Sequence, residues 1–133
     1  MLVDAAHNPH GARALAGALA ESFDFAEWGI VLGVLDDKDA AGIVAALAPV
    51  AAHVFATAPS SERAGDVERL ADIVEAAGLR VTVHPGVYDA TEAARAWAQQ
   101  GEKRAVAIAG SVVLAGEAIL LAQEEEWKPV TGE

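Results

Sequence analysis

Short apolar runs alternate with helix-forming segments along this chain, and nothing else in it restricts the fold as tightly. Trp28 to Leu35 is almost unbroken in apolar character, and Arg104 to Ala109 is a second run of the same kind. Such runs suit strands covered on both faces, as in a parallel sheet. Further strands are expected at Leu2–Val3, Ala52–Thr57 and Arg80–His84. Between them lie helical segments. Pro9 to Ser22 places Leu15 and Leu19 on one face. Ala40 to Leu47 stops near Pro49, and Asp66 caps a segment that runs to about Ala77 and ends at Gly78. Tyr88 to Gln99 follows, and Ser111 caps a last helix to about Glu125, with Trp127 to Glu133 as a loosely held tail. Strand–helix–strand steps bring the chain back to the same end of a sheet. The alternation therefore predicts an α/β fold, a three-layer sandwich whose mostly parallel sheet carries helices on both faces. No repeat or linker interrupts it, so residues 1–133 read as one domain.

Charge excludes several functions. The net charge is −11, with twenty acidic residues against nine basic ones. Such a surface repels phosphate backbones and anionic membranes, so neither nucleic acid nor membrane is an expected partner. No apolar run approaches the roughly 20 residues that span a bilayer. The chain has no cysteine, which removes disulfides and thiolate metal sites and is compatible with a cytoplasmic location. His10, His53 and His84 lack metal-ligand spacing, so no metal site is expected. No G-x-S-x-G or G-x-G-x-x-G is present either.

Chemistry concentrates where the first strand meets the first helix, in Leu2-Val3-Asp4-Ala5-Ala6-His7-Asn8-Pro9-His10-Gly11. Asp4 stands at the strand end, Asn8 suits an N-cap, and Pro9 fits the first helical position, where its missing N–H costs nothing. Ligands of open α/β sheets bind at that end of a strand, and a helix N-terminus favours anions. Asp4 could equally accept backbone bonds within its own turn. His7 alone would be an ordinary structural histidine.

The D-x-A-H-N-P pattern resembles the motif that opens the C-terminal domain of folylpolyglutamate synthase and dihydrofolate synthase, in the Mur ligase superfamily. Val31-Leu32-Gly33-Val34-Leu35-Asp36-Asp37-Lys38-Asp39, then Ala109-Gly110-Ser111 with Gly116-Glu117, continue the resemblance in order over nearly the whole chain. The resemblance implies a Rossmann-like architecture, commonly with one antiparallel strand. It implies that Asp4, His7 and Asn8 contact a nucleotide, Asp4 at the ribose. It implies that Lys38, Gly110 and Ser111 hold the incoming glutamate. Unaided, Lys38 reads as a solvated loop charge, Asp39 as a helix cap, and Gly110-Ser111 as a turn and cap.

The chain lacks the G-x-x-x-x-G-K-[ST] loop that cradles ATP phosphates. Family members carry it in an upstream domain with the magnesium ligands and a catalytic or modified lysine. No catalytic residue is therefore expected here. An arginine that usually precedes the first motif would lie upstream of Met1, so the chain is expected to begin just inside a domain boundary. The resemblance implies an ATP- and magnesium-dependent amide ligase, in which L-glutamate attacks an acyl phosphate of dihydropteroate or a folate. This domain would close over nucleotide and glutamate beside its partner, a P-loop ATPase domain, and would be inactive alone. Two alternatives remain: the C-terminal domain of a cell-wall Mur ligase, and a free-standing module that binds a nucleotide or partner without catalysis.

Overall fold

The computed structural model describes residues 2–3, 7–22, 27–35, 38–58 and 66–110, together with 116, 119, 120 and 123. Among the described residues, five strands form one sheet: β1 (Leu2–Val3), β2 (Glu27–Leu32), β3 (Ala51–Ala56), β4 (Val81–Val83) and β5 (Arg104–Ala109). Four helices connect them: α1 (Pro9–Ser22), α2 (Ala40–Leu47), α3 (Val67–Ala76) and α4 (Val87–Gln99). Residues 116, 119, 120 and 123 are also helical, in the region where the last helix is expected.

The strand order is β1-β5-β2-β3-β4, and all four pairings are parallel. The antiparallel strand implied by the family resemblance is not among them. Each described strand is joined to the next through a helix, which carries the chain back to the edge where the previous strand began. The strand expected to reach Leu35 ends at Leu32, and Val34 continues buried beyond it. The strand expected over Ala52–Thr57 runs from Ala51 to Ala56.

Period-two alternation divides the sheet between two cores. Trp28, Ile30, Leu32, Val54, Ala56, Ala105, Ala107 and Ala109 pack with Leu15, Leu19, Ile43, Val44, Leu47 and Val74, so α1, α2 and α3 share one face. Val31, Phe55, Val106 and Ile108 pack with Val87, Ala90 and Ala94 of α4 on the other. Because both faces are covered, β2 and β5 are apolar at successive positions rather than alternate ones. Burying each of the larger aliphatic side chains stabilises the fold by about 1.5–3 kcal/mol. Alanines on β5 let the helices approach closely. The side of the sheet each helix takes follows from handedness. The chain moves outward from β2 to β4 with its helices on one face. It must then step back across the sheet to reach β5, and a right-handed crossover in that direction puts α4 on the opposite face.

Helix ends are capped by local chemistry. Asp66 Oδ1 accepts the backbone N–H of Glu68 at 2.9 Å and of Arg69 at 3.4 Å. Gly78, at φ +83°, follows the end of α3 in the left-handed conformation expected there.

Candidate functional site

The carboxyl edge of the sheet collects the residues singled out in the sequence. Because β5 lies between β1 and β2, three chain segments emerge there side by side: His7–Asn8 after β1, Gly110 after β5, and Gly33 onward after β2. This juxtaposition joins residues about a hundred positions apart.

The first segment is fixed by its cap. Asn8 Oδ1 accepts the N–H of Gly11 at 2.7 Å, and the Asn8 carbonyl accepts that of Ala12 at 3.0 Å. The cap occupies the side-chain oxygen of this exposed residue, which leaves its amide NH2 as the group to offer a ligand. His7 is half-buried beside it, and Pro9 opens the helix.

The second segment follows β2. Asp39 caps α2, its Oδ1 accepting the N–H of Gly42 at 2.9 Å. Gly42 is the point where two helix starts meet: a Cβ there would lie 2.7 Å from Pro9 Cγ and would also strike Asp39 Oδ2. The α1 and α2 N-termini are thereby drawn together, and both present positive dipole ends at the same edge. Lys38 immediately precedes this cap, half-buried, with its backbone N–H on the Leu35 carbonyl at 3.1 Å. Lys38 lines a cleft with Asp66, Arg69 and Leu70 at the start of α3. The cleft has a volume of about 30 Å³. That is space for about one water and not for an amino acid. Lys38 is thus at the predicted edge, but it lies toward α3, to the far side of Gly33.

The third segment turns at Gly110, which is buried and has φ +105°. A Cβ at this position would sit 2.5 Å from the Gly33 carbonyl oxygen and 2.9 Å from Leu32 Cδ1. The ends of β5 and β2 therefore touch backbone to backbone, joined by a bond from Gly33 N–H to the Ala109 carbonyl at 3.4 Å. Only a residue without a side chain permits this contact.

Asp4 and Ser111 lie outside the described residues, as do Asp36, Asp37 and Glu117. His7, Asn8, Lys38 and Gly110 are placed along one edge, with Gly110 between the other two segments. Thr57 was not singled out in the sequence. It follows β3, is 1% exposed, donates its backbone N–H to Leu32 at 2.9 Å, and its Oγ1 has no hydrogen-bond partner among the described residues. A threonine closing an apolar strand was the available signal. Among the described residues, no group of three or more His, Asp and Glu could hold a metal ion, and no helix is long and apolar enough to cross a membrane.

Comparison with known proteins agrees with this fold. Residues 1–112 match the family model described as "Mur ligase, glutamate ligase domain". A dihydrofolate synthase/folylpolyglutamate synthase of Mycobacterium tuberculosis is 56% identical over 71 residues, which are 53% of this chain and 15% of that protein. The solved Mycobacterium tuberculosis folylpolyglutamate synthase complexed with ADP superposes with a TM-score of 0.85 at 44% identity, over 90% of this chain and 29% of its own. E. coli FolC in complex with DHPP and ADP gives 0.82 at 26% identity, over 93% of this chain and 29% of its own. The chain thus spans less than a third of the solved relatives it matches. The motifs, the sheet order and the matched model together establish that this chain belongs to the Mur ligase glutamate ligase domain family.

Proposed function

We propose that this chain serves as the C-terminal domain of an ATP-dependent amide ligase that adds L-glutamate to dihydropteroate, folates or both. The observation that carries the reading is the carboxyl edge. There His7–Asn8, Gly110 and Lys38 stand in one row beside two convergent helix N-termini. That edge suits anionic groups: two helix dipoles and an ammonium favour phosphate or carboxylate, on a chain that is otherwise strongly acidic.

In this reading Asp4, His7 and Asn8 contact the nucleotide. Asp4 accepts from the ribose hydroxyls, and Asn8 donates through the amide hydrogens its cap leaves over. Lys38, Gly110 and Ser111 border the glutamate, with the ammonium of Lys38 reaching a carboxylate outside the water-sized cleft that Lys38 lines. ATP and magnesium supply the phosphorylated carboxyl group, and an upstream P-loop domain holds the metal. The contribution of this chain is to orient and to exclude water.

The test is glutamate ligation by the complete protein that contains this chain, with dihydropteroate and folate each offered as acceptor. His7→Ala and Lys38→Ala each remove a contact to a charged group, worth about 1.5–3 kcal/mol, so kcat/KM should fall about 10- to 100-fold. Circular dichroism should be unchanged. Wild-type turnover in both variants would remove the site assignment. Absence of ligation by the unaltered protein on either acceptor would remove the function.

A further inference from the structure

On the α4 face of the sheet, away from the carboxyl-edge site, two imidazoles meet at one hydroxyl. His53 Nε2 lies 3.1 Å from Thr82 Oγ1, and His84 Nε2 lies 2.8 Å from the same oxygen. His53 belongs to β3, Thr82 to the edge strand β4, and His84 follows β4 directly. We propose that His53, Thr82 and His84 form a proton-sensitive clasp that holds β4 to the sheet when both imidazoles are neutral and loosens it when they are protonated.

The argument rests on counting hydrogens. A hydroxyl has one proton and two lone pairs, so Thr82 can donate to at most one of the two rings; in the chain that uses its proton, one imidazole donates its Nε2–H to Thr82 and Thr82 donates to the bare Nε2 of the other. Burial fixes that direction. His53 Nδ1 is buried and has no hydrogen-bond partner among the described residues. A bare nitrogen there is tolerable, whereas an N–H there would be a buried donor without an acceptor. His53 is therefore the Nε2–H tautomer and donates to Thr82, and Thr82 donates to His84, which carries its proton on Nδ1.

Protonation of either ring damages this arrangement. A proton added to His53 goes to the buried, unpartnered Nδ1. A proton added to His84 goes to Nε2 and removes the acceptor for the Thr82 hydroxyl. The surroundings add to the penalty. The His53 ring stacks on Phe55 with centroids 4.1 Å apart and meets the edge of Trp97 at 6.3 Å. Burial, then the Arg80 and His84 charges, hold the His53 pKa below its ordinary value. Burial also lowers that of His84, with Asp89 of α4 pulling the other way. Two further charges near the pair among the described residues are Glu75 of α3, which borders the same groove, and Arg104, whose guanidinium stands 4.6 Å over the Trp97 ring. Arg104 is itself paired with Glu27 at 3.1 Å.

The sign follows. Both rings hold protons less firmly in the folded chain than in the unfolded one. Their contribution to stability is complete above the unfolded pKa of about 6.5 and is lost as pH falls through the lower folded values. The element at stake is slight: β4 has three residues and, among the described strands, pairs with β3 alone, through residues such as Ala56, whose carbonyl receives the His84 N–H at 2.9 Å.

Nitrogen-detected NMR of the 15N-labelled chain tests the proposal. Near pH 7.5, His53 should be the Nε2–H tautomer and His84 the Nδ1–H tautomer, and both should titrate below a histidine peptide at about 6.5. Amide-exchange protection of His84, corrected for intrinsic rates, should fall at least about threefold between pH 7.5 and 5. In Thr82→Val, an exposed position, the protection of His84 should respond less to pH than in the wild type. The reverse tautomers, titration at or above the peptide value, or protection that ignores pH in the wild type would each overturn the clasp. If Thr82→Val does not fold, the wild-type tautomers and protection decide alone.

Discussion

Replacing Gly110 with alanine is the sharpest test of how the carboxyl edge is built. Two costs are expected. The backbone has φ +105°, where an L-residue is strained by about 1–3 kcal/mol. The added methyl also lies 2.5 Å from the Gly33 carbonyl oxygen, well inside contact distance. Leu32 Cδ1, at 2.9 Å, can swing aside, but the Gly33 carbonyl is main chain in a buried position between β2 and β5. The two strand ends must part, and the Gly33 N–H to Ala109 bond, already 3.4 Å long, is the first to weaken. Overpacking of this kind costs about 1–3 kcal/mol, so the total is about 2–6 kcal/mol. Urea denaturation followed by tryptophan fluorescence is suitable, because Trp28 is buried in the core beside these strands. Gly17→Ala is the control: it lies within α1, where a Cβ meets nothing within 4 Å. That variant should gain about 0.5–1 kcal/mol from reduced backbone entropy. A loss below about 0.5 kcal/mol in Gly110→Ala would show that the strand ends are not in contact, since neither the conformational nor the steric cost could then be present.

Other expectations are simpler. Asp66→Ala should cost about 1 kcal/mol, because two N–H groups at the start of α3 lose their acceptor; an unchanged urea midpoint would contradict the cap. Thr57→Val should be neutral or stabilising by up to about 1 kcal/mol, since it removes a buried hydroxyl that makes no bond among the described residues. A loss of more than about 1 kcal/mol would mean that this hydroxyl is satisfied in solution. Leu19→Ala, at a side chain 1% exposed in the larger core, should cost about 2–5 kcal/mol by the same denaturation assay. A cost under about 1 kcal/mol would mean that α1 does not pack there.

The residues explain how much could be read in advance. The α1, α2 and β5 boundaries were legible because each is marked locally, by Asn8 and Pro9, by Asp39 and Pro49, and by the apolar run to Ala109. Local marks fail where packing decides. Leu35 is apolar enough to prolong β2, yet the ladder ends at Leu32, where β5 ends opposite it at Ala109. Lys38 was legible as a cation at the carboxyl edge, but the cleft it shares with Asp66 and Arg69 depends on where α3 begins. The strand order was out of reach, since nothing near Leu2 indicates that its neighbour is Ala107. The histidines were also opaque. His53 and Thr82 stand 29 positions apart, and only the register of β3 on β4 brings them together.

That strand order also governs when the edge can exist during synthesis. Among the described strands, β1 pairs with β5 alone, so residues 2–3 have no place in the sheet until residues 104–109 have been made. A nascent chain can assemble β2, β3 and β4 with α2 and α3 as a growing layer while β1 and its turn wait unpaired. Once β5 is made, β1 and β2 can pair on either side of it. Premature termination before that point leaves a partial sheet whose anion-facing row has never formed. The arrangement also makes folding of the row a long-range closure, slow relative to the helices around it.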